Sequence, residues 1–426
     1  MGLRQRLEDV RTGFERPFWI ANLSEIFERL SYYAVFAVLV RYLHEALGFP
    51  LEQATTLGGW FGGAVWVLAA FGGAAADWMG FRRALSLAYF TLSCAYFLVG
   101  SIAAPWLAPV RTILPLGPMV FIILLLPAIG VALVKPSVVG TTARASREDV
   151  RSIGYSIYYT MVNIGSTLGP FLAGWVHQRM RVENVFRLAA LSVFLMFLAV
   201  LLFFREPRRD RGAQSASLRD VARGFLSVLG NPRFMIFLLI FSGYWVVFWQ
   251  QYLVLPSFIH DHVDANANTG YILITDPLIV ILFTVAINVW TRRIPAFAAI
   301  VIGTLVTSLS WLFLALHPSV ITAVAALAVV AIGEIIQSPR YYEYISRLAP
   351  PGQQGTYMGF AFLPIGIGSI VGGWFGGRVM HHFGEVSGHP ERVWWAITAV
   401  GVATALLLLV YDRVATPAPK ESAARR

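Results

Sequence analysis

The chain has 426 residues, of which 57% are hydrophobic and 13% charged, where a soluble domain carries about 25% charged residues. Its mean hydropathy of +0.65 excludes an ordinary soluble globular protein and fits a polytopic membrane protein. The net charge of +10 does not point to nucleic acid, because the basic residues cluster in short loops between apolar runs.

Residues 1–11 (M-G-L-R-Q-R-L-E-D-V-R) are polar and lack the apolar region and cleavage site of a secretory signal, so the first apolar run is expected to remain in the mature protein. Apolar runs then recur at 17–43, 53–76, 80–101, 116–141, 151–175, 185–204, 234–258, 269–291, 295–316, 320–348, 354–380 and 391–413. Each is near the length of about 20 residues that a bilayer-spanning helix needs. The expectation is an all-α integral membrane protein of about twelve helices. One six-helix bundle would occupy 1–204, a cytoplasmic linker 205–233, a second bundle 234–413 and a disordered tail 414–426. An even count places both termini on one side. The N-terminal arm, Arg82-Arg83, Arg144/Arg147/Arg151, the linker and Arg292-Arg293 alternate with arginine-poor loops. That bias makes their side cytoplasmic, most simply at a bacterial inner membrane. All eight histidines fall in or beside the loops on the other side, as solvated residues or an external pH sensor. Buried proton handling is therefore left to carboxylates. Cys94, the single cysteine, permits neither a disulfide nor a cysteine metal site and is expected to be a small apolar filler.

The first run contains S-E-I-F-E-R-L-S-Y-Y at 24–33. On a helix, Glu25, Glu28, Arg29 and Tyr32 share one face. An ionised group near the bilayer centre costs about 2.5–3.5 kcal/mol, so three in one helix must face a partner or a wet cavity. They form either an ion cluster that only locks helix packing or one wall of a transport path. Further along, Lys135 precedes Pro136 inside an apolar run and Glu334 lies midway along 320–348. Neither can snorkel easily to the surface, so both should face a cavity between the two halves. Cations on one wall and an acid on the other suit a zwitterion such as a short peptide; a direct salt bridge serving only gating is the alternative. Pro136, Pro256, Pro277, Pro339 and Pro364 are expected within spans, where each permits a kink. Gly58-Gly59, Gly62-Gly63 and Gly372-Gly373 should allow close helix packing.

Residues 72–83, G-G-A-A-A-D-W-M-G-F-R-R, resemble the loop signature of the major facilitator superfamily, which implies its fold and a cytoplasmic latch formed by Asp77, Arg82 and Arg83. Residues 25–33 resemble the E-x-x-E-R-F-x-Y-Y signature of proton-dependent oligopeptide transporters. G-V-A-L-V-K-P-S at 130–137, S-I-Y-Y-T-M-V-N-I-G-S-T-L-G-P at 156–170, G-E-I-I-Q-S-P at 333–339 and L-A-P-P at 348–351 are similar to that family's patterns in helices four, five and ten and just after helix ten. The resemblance implies that Arg29 and Lys135 bind a substrate carboxylate and that Asn163 and Glu334 hold its amino group. It also implies proton coupling through Glu25 and Glu28, with Tyr32 and Tyr33 lining the pocket.

The chain departs from that family in its pocket wall. Trp249, in Y-W-V-V-F-W-Q-Q at 244–251, stands where an acid usually carries a coupling proton; Trp66 stands for a pocket tyrosine, and Ala361 for a tryptophan. Asp276 either replaces the missing acid or caps a helix before Pro277. The expected function is proton-coupled symport of di- or tripeptides or a similar zwitterion by alternating access. The alternative is a related transporter of an amino acid derivative, a nitrate-like anion or a drug, with altered or absent coupling. No H-E-x-x-H, G-x-S-x-G or P-loop is present, which speaks against an enzyme. No cofactor is expected other than the proton as coupling ion. The partners expected are a small-molecule or short-peptide substrate and the lipid bilayer, with no nucleic acid and no obligate protein partner.

Overall fold

The computed structural model describes residues 12–207, 226–350 and 354–415. Among them, six long helices form the first half: α1 (Arg16–Arg41), α2 (Leu51–Met79), α3 (Phe81–Val99), α4 (Leu116–Arg144), α5 (Arg151–His177) and α6 (Glu183–Phe203). Six more follow: α7 (Pro232–Phe248), α8 (Thr275–Thr291), α9 (Ala296–Ser310), α10 (Val320–Leu348), α11 (Leu363–Val379) and α12 (Arg392–Ala415). Short helical pieces extend several of these: Gln250–Leu253 and Leu255–His262 follow α7, Thr269–Leu273 leads into α8, and Gln354–Phe360 leads into α11. α4 and α6 to α12, with these extensions, are long and apolar enough to cross a membrane. α1, α2, α3 and α5, at 26, 29, 19 and 27 residues, are also of spanning length, and α1 holds three charges at mid-depth. The twelve-span all-helical expectation is met, with bounds that shift by a few residues. Most of the expected linker and nearly all of the C-terminal tail lie outside the described residues.

Two local expectations need correcting. Pro256 lies just past the seventh span, in the first turn of Leu255–His262, and does not kink that span from within, whereas Pro277 and Pro364 lie inside the spans Thr269–Thr291 and Thr356–Val386, each just after a break in the helix. Pro136 and Pro339 do lie inside α4 and α10. Cys94 is exposed on α3 rather than packed as a core filler.

Successive helices alternate in direction, which gives the bundle a basic end, where α1 begins, and a far end. At the far end the halves meet along a glycine seam between α2 and α11. A Cβ at Gly59 would stand 2.6 Å from the Ser369 carbonyl and 2.8 Å from Gly373 Cα, so only glycine permits this approach. The Ser369 hydroxyl donates to the Gly59 carbonyl at 3.0 Å across the same seam. Arg378 of α11 pairs with Glu52 of α2 at 3.1 Å. At the extremity of this end, His260 lies 3.9 Å from Glu45, which Arg41 holds at 2.7 Å.

The inner face of α5 reports how far this closure runs. Gly174, Pro170, Ser166 and Asn163 along it are buried, whereas Tyr159, Ser156 and Tyr155, continuing toward the basic end, are exposed. The halves are thus sealed at the far end and parted at the basic end.

At the basic end, Gly80 turns the chain between α2 and α3 with φ +84°. The Glu206 carboxylate accepts from the Phe81 and Arg82 backbone N–H groups, both at 2.8 Å, and Arg82 Nη2 donates to the Leu201 carbonyl. The side chain of Asp77 lies outside the described residues, and Arg83 is exposed. Glu206, which the sequence reading did not single out, therefore caps α3 from the end of α6. Glu206→Ala is expected to lower stability by about 1 kcal/mol, read as a lower midpoint of thermal unfolding in detergent.

Candidate functional site

Glu25, Glu28 and Arg29 are buried at mid-depth of α1, with 0%, 0% and 2% exposure. Their spacing stacks them on one face, and Gly165 lets α5 close over it: a Cβ there would meet the Ile26 carbonyl at 2.6 Å. Arg29 Nε lies 3.4 Å from Glu25 Oε1 and donates to Glu28 Oε2. Two carboxyl groups thus share one guanidinium. Arg29 Nη2 and Glu28 Oε1 remain buried without a hydrogen-bond partner. The guanidinium also stands 5.4 Å from the Tyr32 ring, which stacks on Phe61 at 5.7 Å.

Lys135 does not join this cluster within ion-pair distance. Its Nζ sits 4.1 Å from the centre of the Trp66 ring and 5.0 Å from that of Phe362, a residue of the second half. Asn163 is buried but spends one amide hydrogen on the Tyr159 carbonyl of its own helix, at 2.8 Å. Tyr33 packs edge-on to Tyr32 and faces Tyr252 of the second half at 5.9 Å.

In the second half Glu334 lies midway along α10, within electrostatic reach of Asp276, and both act on Tyr33. Arg29 and Glu28 of the first half also act on Tyr33, so charges of both halves reach this ring. Asp276 is not an N-cap. The cap position of α8 is Ile274, and the Asp276 carboxyl is 4% exposed beside Gln251 with Oδ1 unpartnered. Trp249, expected in the pocket wall, is instead packed away at 2% exposure. Its indole N–H donates to the Ile365 carbonyl at 3.1 Å, and its ring meets Phe36 of the first half at 5.2 Å. It belongs to the aromatic plug that closes the far end. Ala361 is buried at the break before α11, its carbonyl accepting from the Tyr341 hydroxyl at 2.8 Å.

The structure therefore gathers Glu25, Glu28, Arg29, Tyr32, Tyr33, Trp66, Lys135, Asn163, Asp276 and Glu334 around the mid-depth interface. It sets Trp249 in the plug, and Arg82 and Arg83 at the basic end. Phe362 was missed because its role depends on α11 meeting α2 and α4, which no local pattern announces. Glu206 was missed because it acts on backbone groups far along the chain.

A family model described as Major Facilitator Superfamily matches residues 22–362 and 252–426. Among curated proteins, the multidrug resistance protein MdtH of Klebsiella pneumoniae is 24% identical over 344 residues, covering 80% of this chain and 80% of that protein. Its counterpart in Salmonella newport is 23% identical over the same shares. Among solved structures, a POT family transporter in complex with 5-aminolevulinic acid superposes with a TM-score of 0.76 at 17% identity, covering 94% of this chain and 97% of that one. A nucleoside transporter, NupG, reaches 0.77 at 13% identity, with 92% and 99% covered. These structural likenesses establish the fold.

Proposed function

This chain belongs to the major facilitator superfamily, and from that premise we propose that it is a proton-coupled symporter of short peptides or of a similar small zwitterion. The observation that carries the reading is the charge arrangement at mid-depth: Arg29 and Lys135 on the first half, Asp276 and Glu334 on the second, with Arg29, Asp276 and Glu334 all within electrostatic reach of Tyr33. Such a divided site favours a ligand with a separated carboxylate and ammonium. The oligopeptide-transporter signatures support the same reading, as does the likeness to a POT family transporter bound to 5-aminolevulinic acid, a molecule with an amino and a carboxyl group.

In this reading Lys135 and Arg29 take the ligand carboxylate, Glu334 and Asn163 its amino group, and Tyr32, Tyr33 and Trp66 line the pocket. Glu25 and Glu28 outnumber their one guanidinium, and the surplus carboxyl is where a coupling proton would ride. Asp276 stands in for the acid that Trp249 displaces. The basic end is cytoplasmic, both termini lie there, the two bundles rock about the site, and Asp77, Arg82 and Arg83 latch that end. The membrane is a bacterial inner membrane.

Glu334→Gln is expected to raise the KM for dialanine at least tenfold, because it removes one charge of a recognised pair. Asp276→Asn is expected to keep ligand exchange across a liposome membrane but to lose accumulation against a gradient. Accumulation by Asp276→Asn at the wild-type level would remove Asp276 from the coupling route.

A second reading is outward transport of a drug-like compound. The similarity to the MdtH proteins over 80% of the chain favours it, together with the aromatic faces of Trp66 and Phe362. Expulsion of a lipophilic dye, with no response to dialanine, would select this reading.

A further inference from the structure

Among the described residues Lys135, unlike Arg29, has no carboxylate within ion-pair distance, and Glu25 and Glu28 act on it only from farther away. It is half-buried, and its ammonium rests against two rings: Trp66 from the first half and Phe362 from the second. Those rings stack on each other with centroids 5.8 Å apart and 27° between their planes. The cation and the two ring centroids therefore form a triangle with sides of 4.1, 5.0 and 5.8 Å, a contact that spans the two halves. Phe362 sits at a break in the chain, between the helical piece Gln354–Phe360 and α11, with Pro364 just after it. Its backbone N–H donates to the Gly359 carbonyl and its carbonyl accepts from Gly366 N–H, both at 3.3 Å, so the ring is mounted on a turn that joins the two helical pieces.

Two buried donors lie beside this contact. The Trp66 indole N–H faces the Tyr32 oxygen beside it, and neither group has a well-formed hydrogen bond or an acceptor beyond this pair. An oxyanion reaching Lys135 would find both within the same corner. A cation over aromatic faces is held less strongly than one paired with a carboxylate, so such an anion can outcompete the rings.

We propose that Trp66 and Phe362 form an aromatic seat that parks Lys135 across the two halves of the empty protein. An anionic group on the ligand must lift Lys135 off this seat, which releases Phe362. Phe362 is then a specificity-determining residue: a ligand without an anionic group cannot unseat the lysine. This rests on the reading of the site as one for a ligand with a carboxylate.

The test compares dialanine with its C-terminal amide, binding to the purified full-length chain as wild type, Phe362→Leu and Phe362→Tyr. Loss of the ring in Phe362→Leu is expected to tighten dialanine binding about three- to tenfold and to leave the amide unchanged. Phe362→Tyr, which keeps an aromatic face, is expected to match the wild type for both. Equal changes for the two ligands, or weaker dialanine binding in Phe362→Leu, would overturn the seat.

A second readout needs no ligand. Spin labels at Glu148→Cys and Ser346→Cys, in a Cys94→Ser background, report the separation of the halves at the basic end. Phe362→Leu is expected to raise the population of the wider separation about threefold, and an unchanged distribution overturns the proposal. If the wild type binds neither dialanine nor its amide, the peptide reading fails, and the spin-label result decides the seat by itself.

Discussion

Arg29→Gln is expected to abolish transport and to lower stability by about 3–5 kcal/mol, the usual loss when one partner of a buried ion cluster is removed. The size of the effect follows from the count of charges. Among the described residues Arg29 is the only cation within ion-pair distance of Glu25 and Glu28, and all three are almost completely buried. Without it two carboxyl groups face each other in a site that water does not reach. Thermal unfolding in detergent reads the loss. The triple variant with Glu25→Gln and Glu28→Gln is expected to recover most of the stability and none of the transport. Stability unchanged in Arg29→Gln would mean that Lys135 leaves its rings to take the vacant place.

Gly59→Val is expected to hold the far end open and so to stop the transport cycle. The new Cβ would press on backbone atoms of Ser369 and Gly373, which cannot rotate aside as a side-chain tip could. Overpacking of this kind costs about 1–3 kcal/mol, enough to shift a two-state population by roughly five- to hundredfold. The cost falls on the state closed at the far end and not on the state in which α2 and α11 have parted. Spin labels at Ala108→Cys and Ser387→Cys should therefore report a wider far end. Normal transport with an unchanged separation would show that the seam yields elsewhere.

Most of the fold was legible because the bilayer sets helix length and the sequence marks each interruption with charge, glycine or proline. The charged positions of the site were legible for a related reason. Glu25, Glu28, Arg29, Lys135 and Glu334 are too costly in apolar surroundings to be there by accident. What could not be read was how these groups choose partners. Lys135 rests on Trp66 and Phe362 because α11 crosses α2 beside α4, and the spacing of K-P-S carries no trace of that crossing. Trp249 looked like a pocket wall in place of an acid. Its ring is instead drawn into the contact between the halves, where Ile365 offers a carbonyl to the indole N–H. Asp276 could be read as a helix cap from the proline after it. The nearly continuous run from Thr269–Leu273 into α8 moves the cap position back to Ile274 and leaves the carboxyl facing Gln251. In each case the residue type was informative and the tertiary neighbour decided the role.

The divided site is compatible with both proposed readings, symport of a zwitterion and outward transport of a drug-like compound. In the proposed reading a ligand carboxylate would engage the basic wall and an ammonium the acidic wall, while the aromatic rings would accept apolar bulk. Which of these features a ligand needs separates a peptide carrier from a drug carrier.

The most direct measurement is uptake of labelled dialanine by the purified chain in liposomes, with and without an inward proton gradient. Accumulation above equilibrium with the gradient, simple equilibration without it, and loss of both in Arg29→Gln is the expected result. Uptake indifferent to the gradient, or no uptake alongside expulsion of a lipophilic dye, would contradict proton-coupled peptide symport.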